Sequence, residues 1–403
     1  MPAECDSIKP KLAIVATHLI QYQAPIFREI TNIGIDCVVY YASNQGLANK
    51  QDKEFGKSIS WDIDLTRGYE YHILGDEPVR RLTDIANLRS LFKKDKITHI
   101  LLFAGWDTLL FWRTLLTAKM MKIPLIYRGD TIEADYKKGN LSDFFRLPLK
   151  RIIKWPILWL VFRQIDHFLA VGANHKKYLL EHAVNENKII LSRHSIDNDY
   201  FMQKSIKFMK RQDYYRKKLG IGGASRVFLF CGKLIKRKRP EDVIQAFKLV
   251  YGKNDYLLIV GAGPLEKVCK IQASTCANIK FFGFINQSAL PMYYAVADAL
   301  ILPSENETWG LVVNEAFASG LTAIVSDGCA CHPDLIEPDV TGLLYHRGDI
   351  EGLKLCLSRL IDDEKLLNRM KRAVKKKIIP FSIRRVAGDV KELLQQSNFL
   401  PEK

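Results

Sequence analysis

The chain has 403 residues, more than one hydrophobic core usually organises, so we expect two domains of about 150–200 residues each. Apolar residues make up 48% and charged residues 26%, an ordinary globular composition that excludes a disordered chain and a disulfide scaffold. Lys and Arg outnumber Asp and Glu by 60 to 44, and the formal net charge of +16 predicts an anionic partner: phosphate, acidic lipid or nucleic acid.

The first residues carry charge and proline ahead of a short apolar run, a pattern that fits neither a signal peptide nor a membrane anchor. The longest apolar stretch, Ile157 to Phe162, is far shorter than the roughly 20 residues that span a bilayer. We therefore expect a cytoplasmic protein. Eight scattered cysteines predict reduced thiols. Cys329, Cys331 and His332 lack a second ligand pair for zinc, so we interpret them as an ordinary loop and predict no metal site.

Short strand-like runs alternate with helical patterns along the whole chain. Apolar strands separated by helices of about 10–15 residues indicate parallel sheets built from βαβ units. The sequence therefore predicts an α/β fold with two doubly wound, Rossmann-like domains. The predicted strands are Leu12–Ala16, Cys37–Tyr41, His99–Phe103, Leu125–Arg128, His167–Val171, Val227–Cys231, Tyr256–Val260, Lys280–Phe282, Ala299–Leu302 and Thr322–Val325.

The composition changes between the two halves, and this change sets the predicted boundaries. Residues 196–224 are poor in apolar repeats and rich in charge and glycine, so we predict a linker there. It joins a first domain over residues 1–195 to a second over 225–379. In the last segment, 380–403, a helical pattern follows Pro380 and either caps the second domain or returns to the first.

Residues 150–163 combine cations with Trp155, Trp159 and a large apolar face. A segment of this kind can dock on an anionic membrane surface. It can equally be a core-packing helix of the first domain, with Leu160 and Val161 buried. The sequence leaves both interpretations open.

A basic loop follows the first strand of the second half. The strand ends near Gly232, Lys233 and Lys238 lie in the loop, and a helix starts near Pro240, a residue suited to a first helical turn. Two cations beside a strand end can neutralise a leaving diphosphate. A solvated basic loop would have the same composition.

A second segment, from Ser304 to Gly320, lies between two predicted strands. Its apolar spacing predicts a helix that begins near Gly310 and ends at Gly320. The unpaired N–H groups at a helix start favour a diphosphate without a metal ion. Glu307 before the helix and Glu315 within it can accept hydrogen bonds from sugar and ribose hydroxyls. Otherwise they are a loop charge and a helix-surface charge.

Together the two segments resemble the retaining glycosyltransferases of family 4, whose fold is GT-B. The family's Glu-x7-Glu motif matches Glu307 to Glu315, and its phosphate loop resembles Gly232 to Lys238. The resemblance covers most of residues 165–395. Further matches are Val260–Glu266, Phe282–Asn286, Tyr294–Asp298, Asp334–Ile336, Gly342–Leu344 and Ser195–Phe201, while Gln21–Arg28 and Ile123–Asp130 resemble a polysaccharide-assembly branch.

The sequence departs from the family in two places. Lys233 stands where the family commonly has Arg, and a lysine keeps the charge but loses the bidentate fork. The family's frequent His in the acceptor domain is not evident, and Arg128 to Asp130 occupy what looks like the corresponding strand end.

The resemblance implies transfer of a sugar from a UDP-, GDP- or ADP-linked donor with retention of anomeric configuration, without a metal or other cofactor. The acceptor would be a glycan, a lipid-linked glycan or a small molecule. It also implies that Glu315 binds the ribose, Glu307 the sugar hydroxyls, and Lys233 and Lys238 the diphosphate.

The predicted donor site comprises Gly232, Lys233, Lys238, Gly263, Phe284, Ile285, Glu307, Thr308, Trp309, Gly310, Leu311 and Glu315. The predicted acceptor side comprises His18, Gln23, Arg128 and Asp130, and the catalytic group comprises Glu307, Lys238, Lys233 and Asp130.

Three other functions are compatible with parts of the sequence. An NAD(P)-dependent oxidoreductase would use Gly261-Ala-Gly263, but Glu266 occupies the place of its third glycine. A non-catalytic protein that binds nucleic acid or an anionic surface would explain the net charge, but no nucleic-acid module is recognisable, so we expect no specific nucleic-acid partner. A phosphorylase or an inactive relative is the third, and the retained Glu307, Glu315 and loop lysines argue against lost activity.

Overall fold

Two parallel β-sheets form the framework of the chain. The computed structural model describes residues 10–47, 50–52, 57–59, 61–75, 88–132, 154–223 and 225–396. The strands, in chain order, are β1 (Lys11–Ala16), β2 (Asp36–Tyr41), β3 (Lys50–Asp52), β4 (Lys57–Ile59), β5 (Glu70–Ile73), β6 (His99–Phe103), β7 (Leu125–Tyr127), β8 (His167–Ala170), β9 (Ile189–Leu191), β10 (Arg226–Cys231), β11 (Asp255–Val260), β12 (Ile279–Gly283), β13 (Ala299–Leu302), β14 (Thr322–Ser326) and β15 (Gly342–Tyr345).

The strand order is that of a doubly wound fold in both halves. The first sheet runs β5-β2-β1-β6-β7-β8-β9 and the second β12-β11-β10-β13-β14-β15. All strand pairs described within these two sheets are parallel, and only the small β3-β4 pair is antiparallel. Each sheet reverses its order beside its first strand, and the carboxyl ends of the strands there form the usual ligand crevice.

Helices cover both faces of each sheet. They are α1 (Ala24–Asn32), α2 (Leu88–Lys94), α3 (Leu109–Met121), α4 (residues 154–162), α5 (Ala173–Glu181), α6 (Asn198–Met209), α7 (Gln212–Lys218), α8 (Pro240–Lys248), α9 (Glu266–Ala273), α10 (Leu290–Val296), α11 (Leu311–Ala318), α12 (His332–Leu335), α13 (Ile350–Asp362), α14 (Glu364–Lys377) and α15 (Ile383–Gln395). This double covering explains why the strands read as continuous apolar runs. In β1, for example, Ala13 and Val15 face one core while Leu12 and Ile14 face the other.

The ten predicted strands are all present, each within one residue of its predicted ends. Strands β3, β4, β5, β9 and β15 are not among the predicted strands. These strands have three or four residues each, and β5 exposes polar side chains, so a local apolar pattern is too short to identify them.

Helices α6 and α7 fill most of residues 198–218, within the predicted linker, and they pack on the second sheet. Ile196, Phe201 and Ile221 belong to its apolar core. Arg216 is buried, with its guanidinium 3.0 Å from the Asp298 carboxylate and donating to the Val296 carbonyl. Arg216, one of the charged residues of this segment, is therefore part of a buried ion pair. The domain boundaries themselves stay predictions.

The C-terminal helix α15 crosses to the first domain. Val386, Val390 and Leu393 join the core that includes α1. The two chain crossings between the domains lie side by side, because Ile196 pairs with Ser382 and the Asn198 amide donates to the Ile378 and Phe381 carbonyls.

The segment with the basic and aromatic residues is divided between core and surface. Leu158, Val161 and Phe162 on α4 are buried, whereas Leu160 is 58% exposed, so the expected burial of Leu160 is wrong. A helix exposes one face, and Leu160 lies on that face together with Trp155 and Ile157. Residues 150–153 lie outside the described residues. In the described part of the chain, no helix has the length and apolarity to cross a bilayer.

Cys329 and Cys331 are fully buried in the apolar core of the second domain. Burial raises the pKa of the Cys329 thiol to about 12 and raises that of Cys331 as well. Both side chains behave as small apolar groups, in agreement with the loop interpretation.

Candidate active site

A cavity of about 540 Å³ opens between the two domains at the carboxyl ends of the strands. The loop and first turns after β1 form one wall, with Tyr22, Pro25 and Arg28. The loops after β10 and β13 and the start of α11 form the opposite wall. That wall contains Lys238, Glu307, Gly310, Leu311, Val312 and Glu315, and so includes five residues of the predicted donor site.

Helix α11 begins and ends as predicted. Gly310 precedes it in a left-handed conformation, with φ of 103°, and a Cβ there would lie 2.6 Å from a Leu302 methyl carbon. Gly320, with φ of 83°, follows its end. The N-terminus therefore points its unpaired N–H groups and positive dipole end toward the cavity, where a diphosphate would be stabilised.

Glu307 and Lys238 form an ion pair at the base of this wall, between Nζ and Oε2. Both side chains are largely buried, and the Ser304 hydroxyl also donates to Glu307 Oε2 at 3.4 Å. The Glu307 backbone is held by Gly328 and Ala330, since its N–H donates to the Gly328 carbonyl and its carbonyl accepts from the Ala330 N–H. A diphosphate entering the cavity would meet Lys238 already oriented.

Glu315 lies one and a half turns into α11 and is not a helix-surface charge. The Tyr294 hydroxyl donates to its Oε2 at 2.6 Å. Burial raises the pKa of the Glu315 carboxyl to about 7, although the Tyr294 hydrogen bond acts in the opposite direction. The carboxyl faces the cavity, so it can accept a hydrogen bond from a ligand hydroxyl when ionised.

The remaining predicted donor residues lie at neighbouring strand ends. Gly232 and Lys233 follow β10, and the loop is fixed where the Leu234 N–H donates to the Ala262 carbonyl. Gly263 lies against the Leu234 backbone. Phe284 and Ile285 follow β12, and the Phe284 ring lies 6.3 Å from that of Trp61 in the first domain.

Trp309 does not present its side chain to the cavity, and its place in the donor site stays a prediction. Its indole is 3% exposed, donates to Asn314 Oδ1 at 2.8 Å and lies against Gly172 of the first domain. The ring therefore fills the contact between the domains. The neighbouring Thr308 hydroxyl does face the cleft, 3.4 Å from Asp130 Oδ2.

A smaller cavity of about 180 Å³ lies on the first-domain side and includes Thr17, Gln23 and Asp130. Partial desolvation in the cleft raises the pKa of the Asp130 carboxyl, and nearby Glu307 acts in the same direction. His18 lies beside Thr17, with Nδ1 3.0 Å from the Thr17 hydroxyl, and burial lowers its pKa. Gln23 and Asp130 therefore meet in one cavity, with His18 next to it.

Arg128 borders the same cavity, but its guanidinium is engaged with the protein. It is 4% exposed and donates to the Ser192 carbonyl at 2.7 Å and the Arg193 carbonyl at 3.2 Å. Burial lowers the pKa of this guanidinium to about 10, and the charge of Asp389 on α15 acts against that shift. Arg128 thus fixes the end of the first domain, and the prediction that it reaches an acceptor across the cleft is not supported by these contacts.

Two residues that the sequence did not single out complete the cleft, Tyr22 and His194. Tyr22 lies in the first loop, where burial and the charges of Asp130 and Glu307 raise the pKa of its hydroxyl. The His194 ring lies between the rings of Tyr22, at 5.8 Å, and Trp309, at 5.7 Å. Burial, Arg128 and His175 lower the pKa of His194 to about 3, so its imidazole is neutral. Tyr22 lies within the segment Gln21–Arg28, and His194 directly precedes the segment Ser195–Phe201. Both segments match the family, and this match was the signal in the sequence that could have found the two residues.

Comparison with known proteins finds a family match in the second half of the chain. Residues 211–377 match the model of the family described as glycosyl transferases group 1. The match covers about two fifths of the chain. The region contains Lys238, Glu307 and Glu315, the charged residues with which the second domain lines the large cavity, and also Lys233, which lies outside that lining.

Curated relatives match about half of the chain. The UDP-Gal:alpha-D-GlcNAc-diphosphoundecaprenol alpha-1,3-galactosyltransferase of Escherichia coli is 30% identical over 209 residues, which are 49% of this chain and 52% of that protein. The alpha-monoglucosyldiacylglycerol synthase of Streptococcus pneumoniae is 26% identical over 234 residues, 57% of this chain and 52% of the relative. The chain thus spans about half the length of the curated relatives it matches.

The fold extends beyond the group 1 region to both domains. The crystal structure of Anabaena HepE in complex with UDP and glucose has a TM-score of 0.70 against this chain at 15% identity, and the match covers 96% of this chain and 99% of that one. The predicted GT-B fold is therefore confirmed, with two Rossmann-like domains across a cleft.

Proposed function

We propose that the chain is a glycosyltransferase that moves a sugar from a nucleoside diphosphate sugar to an acceptor in the cleft. One observation carries this proposal: Glu307, Lys238, Glu315 and the N-terminus of α11 share a single wall of the large cavity. This set supplies a cation and N–H groups for a diphosphate and two carboxylates for hydroxyls on either side of it. The relatives named above, both of the sugar-transferring kind, support the same class.

In the proposed mechanism the sugar keeps its anomeric configuration. A double displacement would need a carboxylate on the sugar face opposite the leaving group. Glu307 is instead paired with Lys238, so we assign it to binding sugar hydroxyls. The acceptor hydroxyl attacks the anomeric carbon on the face from which the diphosphate leaves, and the departing β-phosphate takes the hydroxyl proton. The protein positions the substrates and stabilises the developing charge.

We assign the other residues by their position in the cleft and, for Lys233, by the resemblance of its loop to the family's phosphate loop. Lys233, Lys238 and the α11 N–H groups stabilise the leaving diphosphate, and Glu315 accepts from the ribose. Asp130, across the cleft at Thr308, orients the acceptor hydroxyl. The positive groups replace a metal ion, so we expect turnover to continue in EDTA. Loss of turnover in EDTA with recovery on added magnesium or manganese would contradict this part.

The acceptor is proposed to be a glycan or a lipid-linked glycan. The names of the two relatives include a diphosphoundecaprenol-linked sugar and a diacylglycerol product. A peripheral contact with an anionic membrane fits such acceptors.

A screen of UDP-, GDP- and ADP-sugars tests the proposal. We expect one nucleotide class to be bound and slowly hydrolysed to its nucleoside diphosphate, and we expect Glu307→Gln to reduce this turnover strongly. A Glu364→Gln variant, altered at an exposed carboxylate on α14, is the control and should match the wild type. Binding of none of the three classes, or titratable binding of NAD(P)H, would reject the glycosyltransferase.

A further inference from the structure

A loop of the first domain crosses to the second domain at the edge of the large cavity. We call residues 61–68, which precede β5, the strap. Asp62 accepts hydrogen bonds from the Ser288 backbone N–H at 3.1 Å and from the Ser288 hydroxyl, and its own N–H donates to Asn286 Oδ1 at 3.4 Å. The strap therefore joins the domains directly beside Phe284 and Ile285, at the end of β12.

The strap is also held from behind by the first domain. Arg28 on α1 donates through Nε to the Arg67 carbonyl at 2.9 Å and through Nη2 to the Asp64 carbonyl at 3.0 Å. Asp64 accepts from the Arg67 N–H at 3.1 Å. Gly68 has φ of 92°, and a Cβ there would lie 2.9 Å from Arg28 Cγ, so the chain can pass Arg28 only as glycine. These contacts fix the backbone that carries Arg67.

Arg67 lines the large cavity. The other two cations of the lining are already engaged, since Lys238 pairs with Glu307 and Arg28 donates to carbonyl groups. Within the described residues, no side chain pairs with the Arg67 guanidinium, which is exposed at the cavity mouth. The lining also carries the carboxylates Asp64 and Asp197, so an incoming anion needs a further cation.

We propose that Arg67 is a donor-binding residue contributed by the first domain, and that it contacts a phosphate of the nucleotide. This inference rests on the proposed function. A guanidinium can donate two parallel N–H hydrogen bonds to two oxygens of one phosphate, whereas a sugar hydroxyl offers a single oxygen. The clasp between Asp62 and Ser288 holds the strap against the second domain, so it positions Arg67 opposite the start of α11. The nucleotide is then enclosed by both domains.

Binding of the nucleoside, its monophosphate and its diphosphate, measured by calorimetry, tests this assignment. The base is the one selected by wild-type binding. Loss of a hydrogen bond to a charged group costs about 1.5–3 kcal/mol, so Arg67→Ala should weaken diphosphate binding about 10- to 150-fold and leave nucleoside binding nearly unchanged. Arg67→Lys should recover part of the loss. Arg89→Ala, an exposed charge on α2, is the control and should bind like the wild type.

The hydrogen bonds from Ser288 to Asp62, which form the clasp, allow a second test of the assignment. In a Ser288→Ala background the strap is no longer held by the hydroxyl, so Arg67→Ala should cost less than it does alone. Equal losses for nucleoside and diphosphate, an unchanged diphosphate affinity, or a higher acceptor KM alone would overturn the assignment. If the wild-type chain binds no nucleoside diphosphate, the proposed function itself fails, which is a different result.

Discussion

At the scale of single residues, the cleft holds Lys238 and Glu307 as partners before any substrate arrives. Lys238→Ala leaves Glu307 without its partner and removes a cation from the leaving group. Loss of one stabilising donor at a developing charge costs about 2.7–4 kcal/mol, or roughly 100- to 1000-fold in kcat. Lys236→Ala, an exposed lysine in the same turn, should retain wild-type kcat. Near-native turnover of Lys238→Ala would remove the assignment.

Glu315 gives a prediction on stability and pH. Its pKa is raised from 4.5 to about 7 in the folded protein, so the folded state holds a proton that the unfolded chain releases over this range. The free energy of unfolding should therefore fall as pH rises from 4.5 to 7, by at most about 1.4 kcal/mol per pH unit from this group. Glu315→Gln should flatten the decline when urea unfolding is compared at pH 5 and pH 7. Parallel declines for both proteins would contradict the raised pKa.

Three residues of the cavity wall, Gly310, Glu315 and Lys238, lie in segments that a local sequence pattern predicts. Gly310 and Glu315 follow from the spacing of one helix, and Lys238 from a strand end. Trp309 and Arg128 could not be understood in this way, because their partners, Gly172 and the Ser192 carbonyl, come from distant parts of the chain. His194 was missed for the same reason, since only the folded cleft brings it between two aromatic rings.

At the scale of elements, α3 and α4 share an unusual outer surface. Both pack on the same core of the first sheet. Outside that core, α3 exposes Trp112, Leu116 and Met120, while α4 exposes Trp155, Ile157 and Leu160. Neither helix contains Asp or Glu, whereas α3 contains Arg113 and Lys119 and α4 contains Lys154. Apolar and aromatic side chains next to cations are typical of a helix that lies on an anionic membrane. The core-packing interpretation of the 150–163 segment therefore holds for one face of α4, and membrane docking by the exposed face stays a prediction.

We expect this surface to bind acidic phospholipid vesicles in a co-sedimentation assay at low salt, with less binding at high salt because the electrostatic part is screened. A Leu116→Ser, Leu160→Ser double variant should sediment less, since it removes apolar contact without changing charge. Ile271→Ser, altered at an exposed apolar residue of α9, is the control. Wild-type protein that stays in the supernatant at low salt would leave only the core-packing role.

The strands and helices also differ in how far a local sequence pattern predicts them. Long apolar strands were predicted to within a residue, because burial on both faces marks them strongly. The sequence left the position of α15 open, since its apolar face could pack on either domain. The helix packs with α1, on the first domain.

At the scale of the whole molecule, the two domains divide the site. The second supplies the wall with Lys238, Glu307 and Glu315, and the first supplies Asp130, Tyr22 and the strap. The fold and the donor wall could be predicted because they depend on motifs within one domain. The acceptor side could not, because it depends on how loops from both domains meet in the cleft.

Proton NMR of a single reaction in EDTA tests the central claim most directly. The donor is the nucleotide sugar selected by the screen, and its anomeric signal is followed together with that of the product. We predict that the donor signal disappears, that free nucleoside diphosphate accumulates, and that the new glycosidic signal has the donor's anomeric configuration. A donor that persists unchanged with every acceptor, or a product of inverted configuration, would contradict the account.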